Sequence, residues 1–349
     1  FRFEGLAARP VPSILREFSA PVVLDRKASA TERAFLLAHD TDPFNKWEAG
    51  RTLAKEVMAE MALKGTPVSA DWLDAVAAVT FDDSLDPAFR ALCLRLPGED
   101  DIAQTIHAAG RIPDPAKIHT ARREMAGALS IRLGEGLSRL YKELDDNAPF
   151  SPSAAQAGRR ALKIAALQLL TRRDGGKLAT SAFARSRSMT EEVGALSALL
   201  DVRQGQNELV AFAARWGRDA NVMDKWYALQ IGHAEPGDAA VVTARLLETP
   251  GFDWKNPNRF RTVIGALAAN HAGFHHRSGA GYKLVADWLL KLDPLNPQTA
   301  SRVSTAFETW PRYDAARRKL ARAELEKMLA SADLSGDLRE MVDRMLTAG

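Results

Sequence analysis

The sequence predicts an all-α chain of stacked helical hairpins, and three observations carry that prediction. Ala and Leu dominate the 349 residues, while strand-type alternation is scarce, which favours helix. A start signal, Asp, Asn or Ser followed by Pro, recurs along the chain. Apolar residues at helical spacing follow each signal, and Gly-, Asn- and Asp-containing clusters separate the pieces.

The elements can be taken in order. Phe1 to Leu6 alternates and then meets Pro10 and Pro12, which reads as a short strand or strand end. One strand needs a sheet, and no partner follows, so its sheet is expected to belong to a preceding segment. The chain is therefore divided into 1–12, a tail and linker, and 13–349, a helical domain. From about residue 28 the pattern is helical, beginning with the amphipathic piece Thr31 to His39. Start signals stand at Asp42-Pro43, Asp86-Pro87, Asp114-Pro115, Ser151-Pro152, Asn256-Pro257 and Asn296-Pro297. Clusters such as Thr171 to Gly176 and Ser278 to Gly281 break the pattern. A long helix is expected from about Ala116 to Leu144. The pattern accommodates roughly fourteen to sixteen helices, most of them about 10–20 residues long. Short connections make neighbours antiparallel. Helix pairs recurring every ~35–45 residues point to a degenerate armadillo- or HEAT-like superhelix. An irregular globular bundle is the alternative.

Composition narrows the function classes. The chain is 46% hydrophobic and 26% charged, enough for a large core without disulfides. The single cysteine, Cys93, excludes an internal disulfide framework and a multi-cysteine zinc site. It lies in the apolar stretch Ala91 to Leu94 and reads as a small buried hydrophobe. The net charge of +3 is interleaved with acids, as in Arg139 to Asp146, rather than gathered in a stripe with aromatic platforms. Nucleic acid is therefore not an expected partner. No apolar run approaches the ~20 residues of a membrane span. No basic-then-apolar leader opens the sequence, so no membrane partner and a cytoplasmic location are expected. The first residue is Phe1 rather than Met, which is read as the sign of a processed or longer polypeptide.

Motifs that carry chemistry are missing. There is no His-Glu-x-x-His pair, glycine-rich phosphate loop or Gly-x-Ser-x-Gly elbow. His271, His275 and His276 form the one histidine cluster, interrupted by Gly273 and without a nearby carboxylate or cysteine. A surface turn is expected there, not a metal site.

Two segments are less ordinary. In Trp254 to Arg261 and in Leu295 to Arg302, Asn-Pro opens a helix and an Arg lies in its second turn. Asn258 and Arg261 are three apart and Gln298 and Arg302 four apart, so each pair shares a helix face. A helix N-terminus offers free N–H groups and partial positive charge, and an Arg adds a fork of donors. The combination suits a carboxylate or a peptide carbonyl. Plain capping beside a solvated Arg accounts for the same spacing.

Six motifs in order carry a family resemblance: Pro10 to Val22, Asn221 to Trp226, Asn256 to Arg261, Asn296 to Arg302, Arg312 to Asp314, and Leu334 to Leu338. Together they resemble the C-terminal region of the proteobacterial aminopeptidase N (alanyl aminopeptidase) family. The middle, about 60 to 215, matches mainly in helical pattern. The resemblance implies an N-terminal β domain, a thermolysin-like catalytic domain and a β-sandwich ahead of this helical domain. Phe1 to about Leu6 would be the last strand of that sandwich. The family's zinc-binding His-Glu-x-x-His motif and its Gly-x-Met-Glu-Asn motif lie in the catalytic domain and are absent here. No cofactor is then expected in this chain, zinc belongs to the missing catalytic domain, and the chain alone is expected to be inactive. The implied partners are the catalytic domain of the same polypeptide and peptide substrates. The implied substrate-binding residues are Arg261 and Arg302, reaching peptide carbonyls or a free C-terminal carboxylate. Gln298 would border the S1 region, and Asn258 is a weaker candidate beside Arg259. An independent α-solenoid adaptor that binds protein or peptide is the competing function, and a nucleic-acid-binding solenoid a weaker one.

Overall fold

The computed structural model describes residues 4–22, 24, 26–145 and 148–349. The chain divides into two compact units. The first holds the chain to Ile102 together with Ala121–Ala195, and the second holds Ala103–Thr120 and Leu196–Gly349.

The first helices are α1 (Ala30–His39), α2 (Pro43–Lys64), α3 (Ala70–Phe81) and α4 (Pro87–Cys93). Next come α5 (Glu99–Ala108), α6 (Pro115–Glu143), α7 (Ala154–Asp174), α8 (Lys177–Ala184) and α9 (Met189–Asp201). The remainder are α10 (Gln206–Trp216), α11 (Ala220–Gly232), α12 (Ala239–Leu247), α13 (Pro257–Ala269), α14 (His271–Phe274), α15 (Ala280–Leu292), α16 (Pro297–Ser304), α17 (Ala315–Leu329) and α18 (Gly336–Thr347). These eighteen helices among the described residues exceed the roughly fourteen to sixteen expected, because short ones such as the four-residue α14 leave too little periodicity to read. The long helix expected from about Ala116 to Leu144 is α6. It carries a break at Gly134, where φ is 35° and ψ −115°, a conformation glycine tolerates best.

Local chemistry starts most of these helices where the sequence predicts. The Asp42, Asp86, Asn256 and Asn296 side chains each accept a backbone N–H of the following turn, with Pro at the first helical position. The Asp114 carboxylate likewise accepts the N–H of Ala116 at 3.0 Å. Ser151-Pro152 is a correction. The cap of α7 is Ser153, and the Ser151 hydroxyl accepts the Ser153 N–H in the turn ahead of it. Ser29 and Glu32 close a reciprocal capping box at α1, so one side chain and one backbone N–H are satisfied at each end of the pair.

The expected N-terminal strand falls partly on Phe1–Phe3, which lie outside the described residues; Glu4, Gly5 and Leu6 are bend and irregular backbone. No strand occurs among the described residues. The following segment is tied to the first unit by polar contacts. Arg16 pairs with Asp40 at 2.9 Å, and the Asn45 amide donates to the Ile14 carbonyl at 3.0 Å.

In the first unit α1 packs on α2 and α3, and α4 packs on α7. Leu53, Met58, Val76, Met125, Leu129 and Leu162 are buried within it. In the second unit α11 packs on α13, α13 on α15, α15 on α17 and α16 on α18. Several helices therefore touch the next but one, which is the contact pattern of stacked hairpins. Phe260, Val263, Ile264 and Leu267 of α13 follow the i, i+3, i+4, i+7 pattern and are fully buried against Tyr282, Val285 and Leu289 of α15. Burial of each such side chain stabilises by about 1.5–3 kcal/mol. This core fixes the axes of α13 and α16, which carry the candidate residues.

Candidate functional site

The site expected from sequence lies on α13 and α16 of the second unit, and these two helices touch. At the start of α13 the Asn256 side chain accepts the N–H groups of Asn258 and Arg259. Asn258 and Arg261 then face solvent on one side of the helix. The Arg261 guanidinium donates to the Asn258 side-chain carbonyl and, at 3.2 Å, to the Pro257 carbonyl. Arg261 is thus folded onto the first turn, with its planar head held beside the helix N-terminus.

Arg259, between them, points the other way. It is 9% exposed, is ion-paired with Asp224 of α11, donates to the Ala220 carbonyl at 2.9 Å and lies 4.9 Å over the Tyr227 ring. Its role is to seat α13 on α11. The sequence motif Asn221 to Trp226 and the motif Asn256 to Arg261 are therefore the two halves of one contact.

At α16 the Asn296 side chain accepts the Thr299 N–H at 3.0 Å. Thr299, Ala300 and Ser304 are buried, which leaves Gln298 and Arg302 exposed together on the opposite face. The entry into this helix is pinned by buried Asp293, whose carboxylate accepts both the Ser335 N–H at 2.7 Å and the Ser335 hydroxyl at 2.5 Å. Among the described residues no hydrogen bond joins Asn258 or Arg261 to Gln298 or Arg302. The structure brings their helices together and leaves all four side chains open to solvent. Asn258 and Arg261 lie at the first turn of α13, whereas Arg302 lies in the last turn of the short α16. Exposed guanidinium and amide groups can bind a carboxylate or peptide carbonyl, by positioning rather than bond-making.

The histidine cluster is a correction. His271 and His275 are 5% and 3% exposed rather than in a surface turn. His271 Nε2 lies 2.8 Å from the Tyr313 hydroxyl, and His275 Nδ1 lies 2.8 Å from the Tyr282 hydroxyl. Gly273 between them lets α14 approach α12 closely, since a Cβ there would lie 2.5 Å from the Ala239 Cβ. The His275 pKa is pushed well below its ordinary value by burial, with the nearby charges of His271, Arg317 and Arg312 adding to the effect. Only His276 keeps a turn-like setting, 2.9 Å from the Ser278 hydroxyl. Among the described residues no group of three or more His, Cys, Asp or Glu side chains is placed to hold a metal.

Sequence reading missed a cleft of about 340 Å³ in the first unit, lined by Arg159, Arg160, Lys163, Arg185 and Arg187. Its signal in sequence is the doublet Arg159-Arg160 and, after α8, the segment Arg185-Ser186-Arg187.

The family model described as domain of unknown function (DUF3458_C) ARM repeats matches residues 30–347. Aminopeptidase N of Caulobacter vibrioides is 37% identical over 99% of this chain and 40% of its own length. Aminopeptidase N of Escherichia coli is 32% identical over 99% of this chain and 40% of its own length. The chain thus spans about 40% of the length of the curated relatives it matches. Among solved structures, Legionella pneumophila aminopeptidase A in complex with aspartic acid superposes with a TM-score of 0.88 at 26% identity, covering 100% of this chain and 42% of that one.

Proposed function

The chain belongs to the DUF3458_C ARM-repeat family, and from that membership we propose that it is the C-terminal, substrate-enclosing domain of an aminopeptidase N. The observation that carries this reading is the near end-to-end match of the chain to two-fifths of each aminopeptidase N relative. In this reading the parent enzyme is a cytoplasmic zinc enzyme that removes N-terminal amino acids from peptides, and the segment up to residue 12 is the tail of a preceding β-sandwich. The described residues do not offer a ligand set that fits zinc. The metal and the bond-breaking step are accordingly assigned to the catalytic domain of the same polypeptide.

What remains for this chain is enclosure and positioning. Arg261 and Arg302 are read as donors to the carbonyls or C-terminal carboxylate of the bound peptide. Asn258 orients Arg261 through their hydrogen bond, and Gln298 borders the same face as Arg302. Excluding bulk water would strengthen each of these charge-assisted bonds relative to an open surface. No helix among the described residues is long and apolar enough to cross a membrane.

Hydrolysis of an aminoacyl amide reporter separates the roles. The full-length protein is expected to turn it over, and this chain by itself is not. Zinc-dependent turnover by the chain alone would overturn the division of labour.

A further inference from the structure

Beside Asn258 and Arg261 the second unit carries a pair of tryptophans with two lysines over them. Trp254 lies in the segment leading into α13 and Trp288 on α15, and their rings meet edge to face with centroids 6.1 Å apart. The Trp288 ring also lies 6.4 Å from that of Phe260, the residue before Arg261. Both indoles are half-buried. Trp226 and Trp310 donate their indole N–H groups to the Leu209 and Met345 carbonyls. Those of Trp254 and Trp288 meet no acceptor among the described residues, so each is a donor on offer.

Lys291, in the last turn of α15, sets its Nζ 4.0 Å from the Trp288 ring centroid and 4.7 Å from that of Trp254. Lys255 Nζ lies 5.9 Å from the Trp254 centroid. Both lysines are exposed, and among the described residues neither is ion-paired. Lys283, on the same helix as Lys291, differs in pairing with Asp287 at 2.6 Å. Two acids stand close in sequence and are engaged elsewhere. Asp253 accepts the Lys255 backbone N–H at 3.1 Å, and buried Asp293 accepts from Ser335.

An exposed lysine ordinarily samples many rotamers, and fixing it costs entropy when an anion arrives. Here the ring faces already hold the Lys291 charge by cation–π attraction. The ammonium groups supply charge, the indole N–H groups supply directional donors, and the half-buried rings offer contact to a carbon stem. Point-charge ammonium groups lack the paired guanidinium forks that favour phosphate, and a carboxylate on a short stem suits them.

We propose that Lys255 and Lys291, held at the Trp254–Trp288 pair, form a subsite for an acidic side chain of the bound peptide, so that favoured substrates carry Asp or Glu beyond the residue removed. This inference rests on the reading of the chain as a peptide-positioning domain. The lysines meet the ligand carboxylate, and the tryptophans hold Lys291 in place.

The test is kcat/KM of the full-length protein for alanine tetrapeptides with Glu or Gln at the second, third or fourth position, each with a free and an amidated C-terminus. At one position Glu is expected to exceed Gln about fivefold, through KM with kcat unchanged, and amidation should leave that ratio unaltered. The double variant Lys255→Met/Lys291→Met should bring the ratio to within about twofold of unity and leave the Gln peptides within about twofold of the parent. Lys291→Arg, which keeps a cation over the rings, should retain most of the preference. A ratio of unity at every position in the parent overturns the proposal, as does a preference that the double variant leaves intact. An equal fall for Glu and Gln peptides also overturns it, since that is a structural effect. So does a loss confined to free over amidated C-termini, which would assign the lysines to the C-terminal carboxylate. Failure of the underlying reading shows elsewhere, as an Arg302→Ala variant that leaves kcat/KM for the Gln peptides unchanged.

Discussion

The Arg259 guanidinium of α13 is ion-paired with the Asp224 carboxylate of α11, their side chains 10% and 21% exposed. This pair fixes the first turn of α13, and through it the position of Asn258 and Arg261. Removing one partner strands the other charge in a half-dry setting. Arg259→Ala is therefore expected to destabilise by about 2–4 kcal/mol, lowering the denaturant midpoint of the chain. Arg259→Lys should restore only part of this, because a lysine cannot serve Asp224 and the Ala220 carbonyl with one planar fork. An unchanged midpoint in Arg259→Ala would remove the pair from the account.

How much of this was legible in sequence depends on how local the determining contact is. Asn256 and Asn296 announce their helices because a cap is decided within four residues, and both caps form as expected. The misplaced start at Ser151 is an error of two residues within the same local signal. The burial of His271 and His275 is decided elsewhere, by Tyr313, Tyr282 and Ala239 arriving from other helices. Nothing within a few residues of the histidines reports those partners. The basic cleft is unreadable for the same reason: Arg159 and Arg160 meet Arg185 and Arg187 only once the connection from α7 to α8 turns the chain back. Arg259 and Arg261 are two apart with the same chemistry, and only the packed structure tells that one is a bolt and the other is open to solvent.

Burial of neutral His275 makes stability depend on pH. Its folded-state pKa is depressed, so its contribution is full above the ordinary histidine value of 6.5 and is lost as pH falls below it. The thermal midpoint is expected to fall between about pH 6.5 and pH 5, before most carboxylates titrate. His275→Gln, which cannot take up that proton, should flatten the dependence in this window. A slope equal to that of the parent chain would show that another group carries it.

Gly273 is required by close packing rather than by turn geometry. A Cβ there would meet the Ala239 Cβ at 2.5 Å. Gly273→Ala should therefore destabilise by about 1–3 kcal/mol despite alanine's higher helix propensity. Pairing it with Ala239→Gly should recover only part of the loss, because the Cβ would still meet the Asn270 Oδ1 at 2.8 Å, as measured by a double-mutant cycle on unfolding midpoints. Additive effects would contradict direct contact.

Cys93 is half-buried rather than fully buried as the sequence suggests, yet it is not set up as a reactive thiol. Burial pushes its pKa up to about 11, with the charge of Lys46 opposing the shift. Modification by a disulfide reagent at pH 8 is expected to be at least about tenfold slower in the folded chain than in denaturant. Equal rates would mean that the α4 segment opens readily.

The central claim is that this chain positions peptides for chemistry carried out elsewhere, and Arg302 tests it most directly. The measurement is kcat/KM of full-length Arg302→Ala for a tetrapeptide and for a single-residue aminoacyl amide reporter. Loss of one charge-assisted bond should lower the tetrapeptide value about tenfold and leave the reporter within about twofold of the parent enzyme. An equal fall for both substrates, or no fall for the tetrapeptide, would contradict the positioning role.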